Sequence, residues 1–185
     1  AAGGTGGHMF PAEALARGDA VHKAIELLTL EWPNDLPDDC EAVLHDHLLH
    51  QLGAHGFEDA AMAREAPLAR NCARWLTEFE RRRRERGVTL LIEQRGAMTF
   101  DAPAGPFTLK AFADRIELSG TGAAVMDFKT GAAPSMKQVK TGFSPQLTLT
   151  GAILAHGGFA DTNGPVEPDE LTYVRAVSYT HLTLP

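Results

Sequence analysis

At Gly87 the period of the apolar positions changes from helical to extended, and that change limits what this chain can fold into. Before it, Val21, Ala24, Ile25 and Leu28 recur at helical spacing ahead of Pro33, predicting a helix over 19–32. Asp38 or Asp39 is placed to cap a second helix through Val43, Leu44, Leu48, Leu49 and Leu52, closed by Gly53 or Gly56. A short third helix fits 58–64. Pro67 starts a fourth, with Leu68, Cys72, Trp75, Leu76 and Phe79 as its buried stripe and Gly87 as its end. After Gly87, residues 88–93, 97–100, 107–118 and 123–128 read as strands, with turns at 101–106 and 119–122, so an antiparallel meander is expected. A helix over 145–156 and a strand over 171–174 follow. Helices first and strands second is the pattern of an α+β domain, with an N-terminal helical region over 18–87 and a sheet core over 88–176.

With 185 residues the chain can bury the core of one ordinary domain. Its 44% hydrophobic and 22% charged residues exclude disorder and collagen. The net charge of -7 denies it the overall basic field of a non-specific nucleic-acid binder, so any such contact must be local. Cys40 and Cys72 are too few for a disulfide framework, and each sits in a helical stretch where a small buried hydrophobe is expected. No run approaches the roughly 18 apolar residues of a membrane span, and residues 1–16 lack the basic and apolar regions of a signal peptide. A cytoplasmic protein with no membrane contact is therefore expected. The Gly-rich opening has no preceding strand and no Gly-Lys-Ser/Thr after it, so 1–16 reads as a frayed start rather than a phosphate loop. The last nine residues, 177–185, resemble a translated sequencing adapter, which leaves 17–176 as the domain and a natural chain expected to continue past Ala176.

The chemistry gathers in two neighbouring strands, around Asp114 in AFADRIEL and Asp127 in AAVMDFKTG. With Gly120 and Thr121 as the loop, Leu118 faces Ala123, and continuing the ladder sets Asp114 opposite Asp127. Directly opposed like charges, with Cβ atoms about 5 Å apart, destabilise a sheet, and a divalent cation would relieve the repulsion. Lys129, two residues on, is aimed at the same face by strand alternation. Solvent-facing polar residues of an amphipathic hairpin are the alternative. Against it, Asp127 ends the apolar run Ala123 to Met126, and an acid buried there needs a partner.

Asp114, the motif Asp127-Phe128-Lys129-Thr130-Gly131, the upstream Gly18-Asp19-Ala20-Val21-His22 and the downstream Ser144-Pro145-Gln146-Leu147 resemble, in order and spacing, the RecB-like branch of the PD-(D/E)xK nucleases. Within that branch the chain is similar to the C-terminal nuclease domain of the AddB-like family over about 17–176. The resemblance implies a restriction-endonuclease-like α+β core, a mixed sheet flanked by helices. It implies metal-dependent hydrolysis of single-stranded DNA, of exonuclease type, in a helicase-nuclease that repairs double-strand breaks, with an AddA-like helicase-nuclease subunit as partner and weak or no activity in the isolated chain. It makes Asp114, Asp127, His22 and the backbone carbonyl of Phe128 ligands of Mg²⁺ or Mn²⁺, Lys129 the residue that holds or polarises the attacking water, and Gln146 a positioning group. An iron-sulfur cluster of the kind such proteins carry finds no support here, because Cys40 and Cys72 lie outside the positions where its cysteines fall. A stand-alone or CRISPR-associated RecB-like exonuclease, and a catalytically silent DNA-clamping or scaffolding domain, are the rival readings.

The residues themselves leave other positions open. A histidine beside an apolar stripe, as His22 is, can be a packed or capped residue as well as a ligand, and Glu26 one turn on could orient it or stay solvated. Thr150 stands four residues after Gln146 where an aromatic or acidic residue is usual in the resembling family. His45, His47 and His50 lack the cysteine or carboxylate spacing of a zinc set. Arg81, Arg82, Arg83 and Arg84, with Arg86, complement a helix C-terminus as a solvated face, or else contact DNA phosphates.

Overall fold

The computed structural model describes residues 11–176, so the Gly-rich opening and the adapter-like segment 177–185 lie outside the described residues. Three helices precede the sheet: α1 (Pro11–Glu31), α2 (Cys40–Ala54) and α3 (Asp59–Arg84). The frayed start expected through residue 16 is helical from Pro11, because Ala16 and Ala20 bury against Leu52 and Phe57. The two helices expected on either side of Pro67 are one helix, with the proline inside it. An interior proline costs roughly 3 kcal/mol. Contacts on both sides of it offset that cost: Glu65 accepts two hydrogen bonds from the Arg17 guanidinium of α1, at 2.8 and 2.6 Å, and Ala69, Cys72, Ala73 and Leu76 bury further along. Both cysteines are buried, as expected, and burial pushes the Cys72 thiol up to about 12.

The sheet runs β1 (Thr89–Ala102), β2 (Gly105–Leu118), β3 (Ala123–Lys129), β4 (Pro168–Arg175), in that spatial order. The segments 88–93 and 97–100, expected as two strands, are one continuous strand, and the first three strands form an antiparallel meander, with the chain reversing at Gly105 (φ +114°) inside the expected 101–106 turn. The fourth lies parallel to β3, which requires a crossover, here through α4 (Met136–Lys140) and α5 (Gln146–Ala155). The sheet is therefore mixed and flanked by helices, an α+β fold.

β3 is buried on both faces, which is why it reads as a nearly unbroken apolar run. Ala124, Met126 and Phe128 pack with Ala24, Leu28 and Leu76 of the helical layer, while Ala123 and Val125 pack with Leu147, Ile153 and Leu154 of α5. The helical layer meets the sheet through charges as well as apolar contacts. Arg115 of β2 is fully buried and paired with Glu80 of α3 and, at 2.7 Å, with Glu117. Arg83 reaches Glu117 at 2.5 Å and Glu170 at 3.0 Å. Among the described residues no helix is long and apolar enough to cross a membrane.

Candidate active site

Counting back from the tight turn gives the observed β2–β3 register: Leu118 faces Ala123 and Arg115 faces Met126. The backbone ladder stops there, and the next opposed positions are Asp114 and Asp127. Instead of a further backbone rung, Asp114 Oδ2 accepts the Phe128 main-chain N–H at 2.8 Å. The other neighbour of β2 is interrupted at the same level. Ile92 pairs with Arg115 and Gln94 with Ala113, and between them Glu93, at the position facing Asp114, adopts φ +52°. That left-handed backbone is rare for a residue with a side chain in a strand. The strand faces exchange at the same level: on β1 Leu91 joins the α5 cluster before Glu93 and Met98 after it, and on β2 Leu109, Ala111 and Ala113 join it before Asp114 and Ile116 and Leu118 after it. Two acids from adjacent strands thus occupy the one place where the alternation resets.

His22 enters from α1. Val21, Ala24, Ile25 and Leu28 bury in the helical core and hold that helix over Phe128, so His22 Nε2 donates to the Phe128 carbonyl at 2.9 Å and Nδ1 lies 3.7 Å from Asp114 Oδ2. A Cβ added at Gly18, one turn earlier, would lie 3.3 Å from Thr130 Oγ1, so a glycine permits this close approach of α1 to the end of β3. Glu26 does not orient the imidazole, because it pairs with Lys23 at 2.8 Å.

Asp127 is nearly buried and held from two sides. Lys129 Nζ lies 2.5 Å from its Oδ2, and Gln146 Nε2 donates to its Oδ1 at 2.5 Å from the first turn of α5. Thr150 is buried with its hydroxyl donating to the Gln146 carbonyl at 2.8 Å, so it supports the turn that carries Gln146 and does not face the site.

Among the described residues one group could hold a metal ion: His22, Glu93 and Asp114, whose ligand atoms all lie within 4.8 Å of one another. Glu93 is absent from the sequence-derived set. Its signal is in the sequence, since it follows the apolar Leu90, Leu91 and Ile92 in the way that Asp127 follows 123–126. Asp127 lies outside this group and is engaged by Lys129 and Gln146. Desolvation pushes the Asp114 carboxyl above its ordinary range and the Asp127 charge adds to the shift, against His22, the Phe128 N–H and Lys129. Burial likewise raises Glu93, with the Asp114 charge next in importance. Two desolvated carboxylates with one imidazole form a mainly hard-oxygen donor set, which fits Mg²⁺ or Mn²⁺. His22 and Glu93 open on a cavity of about 620 Å³ lined also by Lys23, Phe128, Lys129 and Thr130.

The arginine run divides. Arg83 and Arg84 turn inward, their side chains 10% and 9% exposed, committed respectively to Glu117 and Glu170 and to Glu80, so they offer phosphates nothing and do not form a solvated face either. Arg81 lies at the surface 3.5 Å from Glu78, and Arg82 donates to the Glu78 carbonyl. His47 lies 3.6 Å from Glu31, and His45 Nε2 lies 3.4 Å from the Ala66 carbonyl, so the histidine cluster converges on no common point.

A family model described as the PD-(D/E)XK nuclease superfamily matches residues 5–181. Curated relatives are uncharacterized proteins of Rickettsia. One from Rickettsia bellii is 26% identical over 113 residues, which is 54% of this chain and 14% of that protein. Another, from Rickettsia conorii, is 30% identical over 86 residues, 46% of this chain and 10% of its own length. The chain thus spans only a small part of the relatives it matches.

Proposed function

The chain belongs to the PD-(D/E)XK nuclease superfamily, and on that premise we propose that it hydrolyses DNA phosphodiester bonds with a divalent cation, Mg²⁺ or Mn²⁺. The observation that carries this reading is the meeting of Asp114, Glu93 and His22 at the interrupted ladder, with Lys129 against Asp127 beside it. The bound cation would supply charge neutralisation at the scissile phosphate and a water of lowered pKa.

The protein's own residues divide the remaining work. Asp114, Glu93 and His22 would hold the ion, the Phe128 carbonyl adding an oxygen, and Asp127 would join them once a cation competes with Lys129 for its carboxylate. Lys129 then offers its ammonium to the attacking water and to charge that grows in the transition state. Gln146, donating to Asp127 Oδ1, fixes which carboxylate oxygen remains for Lys129 or the ion.

The likeness to the AddB-like nuclease domain supports single-stranded DNA as substrate, exonucleolytic cutting, and operation beside an AddA-like helicase-nuclease subunit in double-strand break repair. A chain matching a small part of much longer relatives is consistent with one domain of such an assembly. The direct test incubates the purified chain with end-labelled single-stranded and duplex DNA in Mg²⁺, Mn²⁺ or chelator. Weak metal-dependent cutting, which Asp114→Ala and Asp127→Ala abolish, is expected of the isolated chain. Cutting in chelator, or cutting by both variants at the wild-type level, would refute the assignment.

A further inference from the structure

We propose that the face of the β1–β2 hairpin bearing Arg95, Lys110 and Phe112 is a track that holds a single strand of nucleic acid next to the Glu93 and Asp114 carboxylates. The inference rests on the nuclease reading and specifies how its substrate is held.

Leu109, Ala111 and Ala113 face the α5 cluster, so alternation turns Lys110 and Phe112 to the other side of the sheet, the side on which α1 lies. The register sets Arg95 directly opposite Phe112, Ala97 opposite Lys110 and Thr99 opposite Thr108. All six are exposed, and Phe112, 44% accessible, has no place in any apolar cluster of the described residues. Among the described residues neither Arg95 nor Lys110 is held by an ion pair, whereas Arg17, Lys23, Arg83 and Arg115 are all committed to carboxylates.

In a chain of net charge -7, two uncommitted cations beside an exposed ring select a particular ligand chemistry, a polyanion with accessible flat faces. Single-stranded nucleic acid is that ligand, since its unpaired bases stack on an aromatic ring without regard to sequence while its phosphates take the cations. A duplex hides those base faces. The position suits the chemistry. Phe112 precedes Asp114 by two residues and Arg95 follows Glu93 by two, about 7 Å along each strand, so a base stacked on Phe112 leaves a neighbouring phosphate beside the carboxylates. The opposite face of the same hairpin carries a second aromatic pair, Phe100 and Phe107, with ring centroids 5.3 Å apart. It lies on the α5 side and serves as the control.

The test measures binding of a fluorescent oligo-dT strand and of an equal-length duplex without divalent metal, so that no bond is cut, with melting curves to establish that each variant folds. The wild-type chain is expected to prefer the single strand. Phe112→Ala and Phe112→Leu, the latter keeping apolar bulk without the ring, should each weaken single-strand binding about tenfold. Arg95→Gln with Lys110→Gln should flatten the log-log salt slope by roughly 1.4, two phosphates at about 0.7 each. Phe100→Thr should change nothing. Wild-type affinity in both Phe112 variants, equal losses for single strand and duplex, or no binding by the wild type would each overturn the track. So would unchanged DNA affinity in Phe112→Leu with an altered sedimentation coefficient, which would make the face a protein interface. Cleavage assays separate the two readings. A wild type that cuts while the Phe112 variants keep its KM retains the nuclease and loses the track, and a wild type that binds through Phe112 without cutting in Mn²⁺ does the reverse.

Discussion

Asp114 accepts the main-chain N–H of Phe128 at 2.8 Å, so a side chain completes the β2–β3 ladder where a backbone carbonyl would otherwise do so. The bond keeps a carboxylate at a largely desolvated, partly buried position, and that desolvation dominates its titration. Desolvation foremost, then the Asp127 charge, raise Asp114 above 3.8 in the folded protein.

Because the folded-state value is the higher one, the native chain binds more protons than the unfolded chain between 3.8 and that raised value. Stability is then lost as pH rises through the window, and the full cost stands above it. Asn at this position keeps an acceptor for Phe128 N–H and carries no charge. Without divalent metal, Asp114→Asn should melt above the wild type at about pH 8, with the gap closing as pH falls through the window. A gap independent of pH would show that Asp114 is not the group responsible.

Glu93 separates stability from function. A left-handed backbone costs a residue with a side chain about 1–3 kcal/mol, and glycine avoids it. Glu93→Gly should therefore be at least as stable as the wild type in urea, and Glu93→Gln should fold normally. Calorimetric titration should find Mn²⁺ affinity reduced in both. Unaltered affinity in Glu93→Gln would remove it from the metal group.

Lys129 should matter for rate far more than for folding or metal binding. Its ammonium sits 2.5 Å from Asp127 Oδ2 and competes with a cation for that oxygen. Lys129→Met is expected to bind Mn²⁺ at least as tightly and to cut single-stranded DNA slower by about a hundredfold. A near wild-type rate would reduce Lys129 to a structural counter-ion of Asp127.

The buried charges of α3 and β2 form one unit, and removing one member strands the others. Arg115→Leu should cost about 3–5 kcal/mol of unfolding free energy, leaving Glu80 and Glu117 uncompensated. Arg83→Ser should also destabilise clearly, while the exposed Arg82→Ser stays within about 0.5 kcal/mol. If Arg83→Ser instead weakened DNA binding with stability intact, its inward ion pairs would not be its role.

Much of this was legible in the sequence because it is local. The change of period at Gly87 specified helices then strands, and the Gly120-Thr121 turn fixed the register that brings Asp114 to the level of Asp127, since hairpin register follows from residues close in the chain. The pairings that tertiary structure alone decided join residues far apart. His22 meets the Phe128 carbonyl across 106 positions, Glu65 meets Arg17 across 48 and so steadies the helix through Pro67, and Arg115 meets Glu80 across 35. No periodicity encodes such meetings. An arginine in a run of arginines reads alike whether it faces water or Glu117, and an acid at a strand end reads alike whether the chain turns left-handed there or not. Packing α1 and α3 on the sheet decided both, by turning Arg83 and Arg84 inward and by bringing His22 to Asp114 beside Glu93.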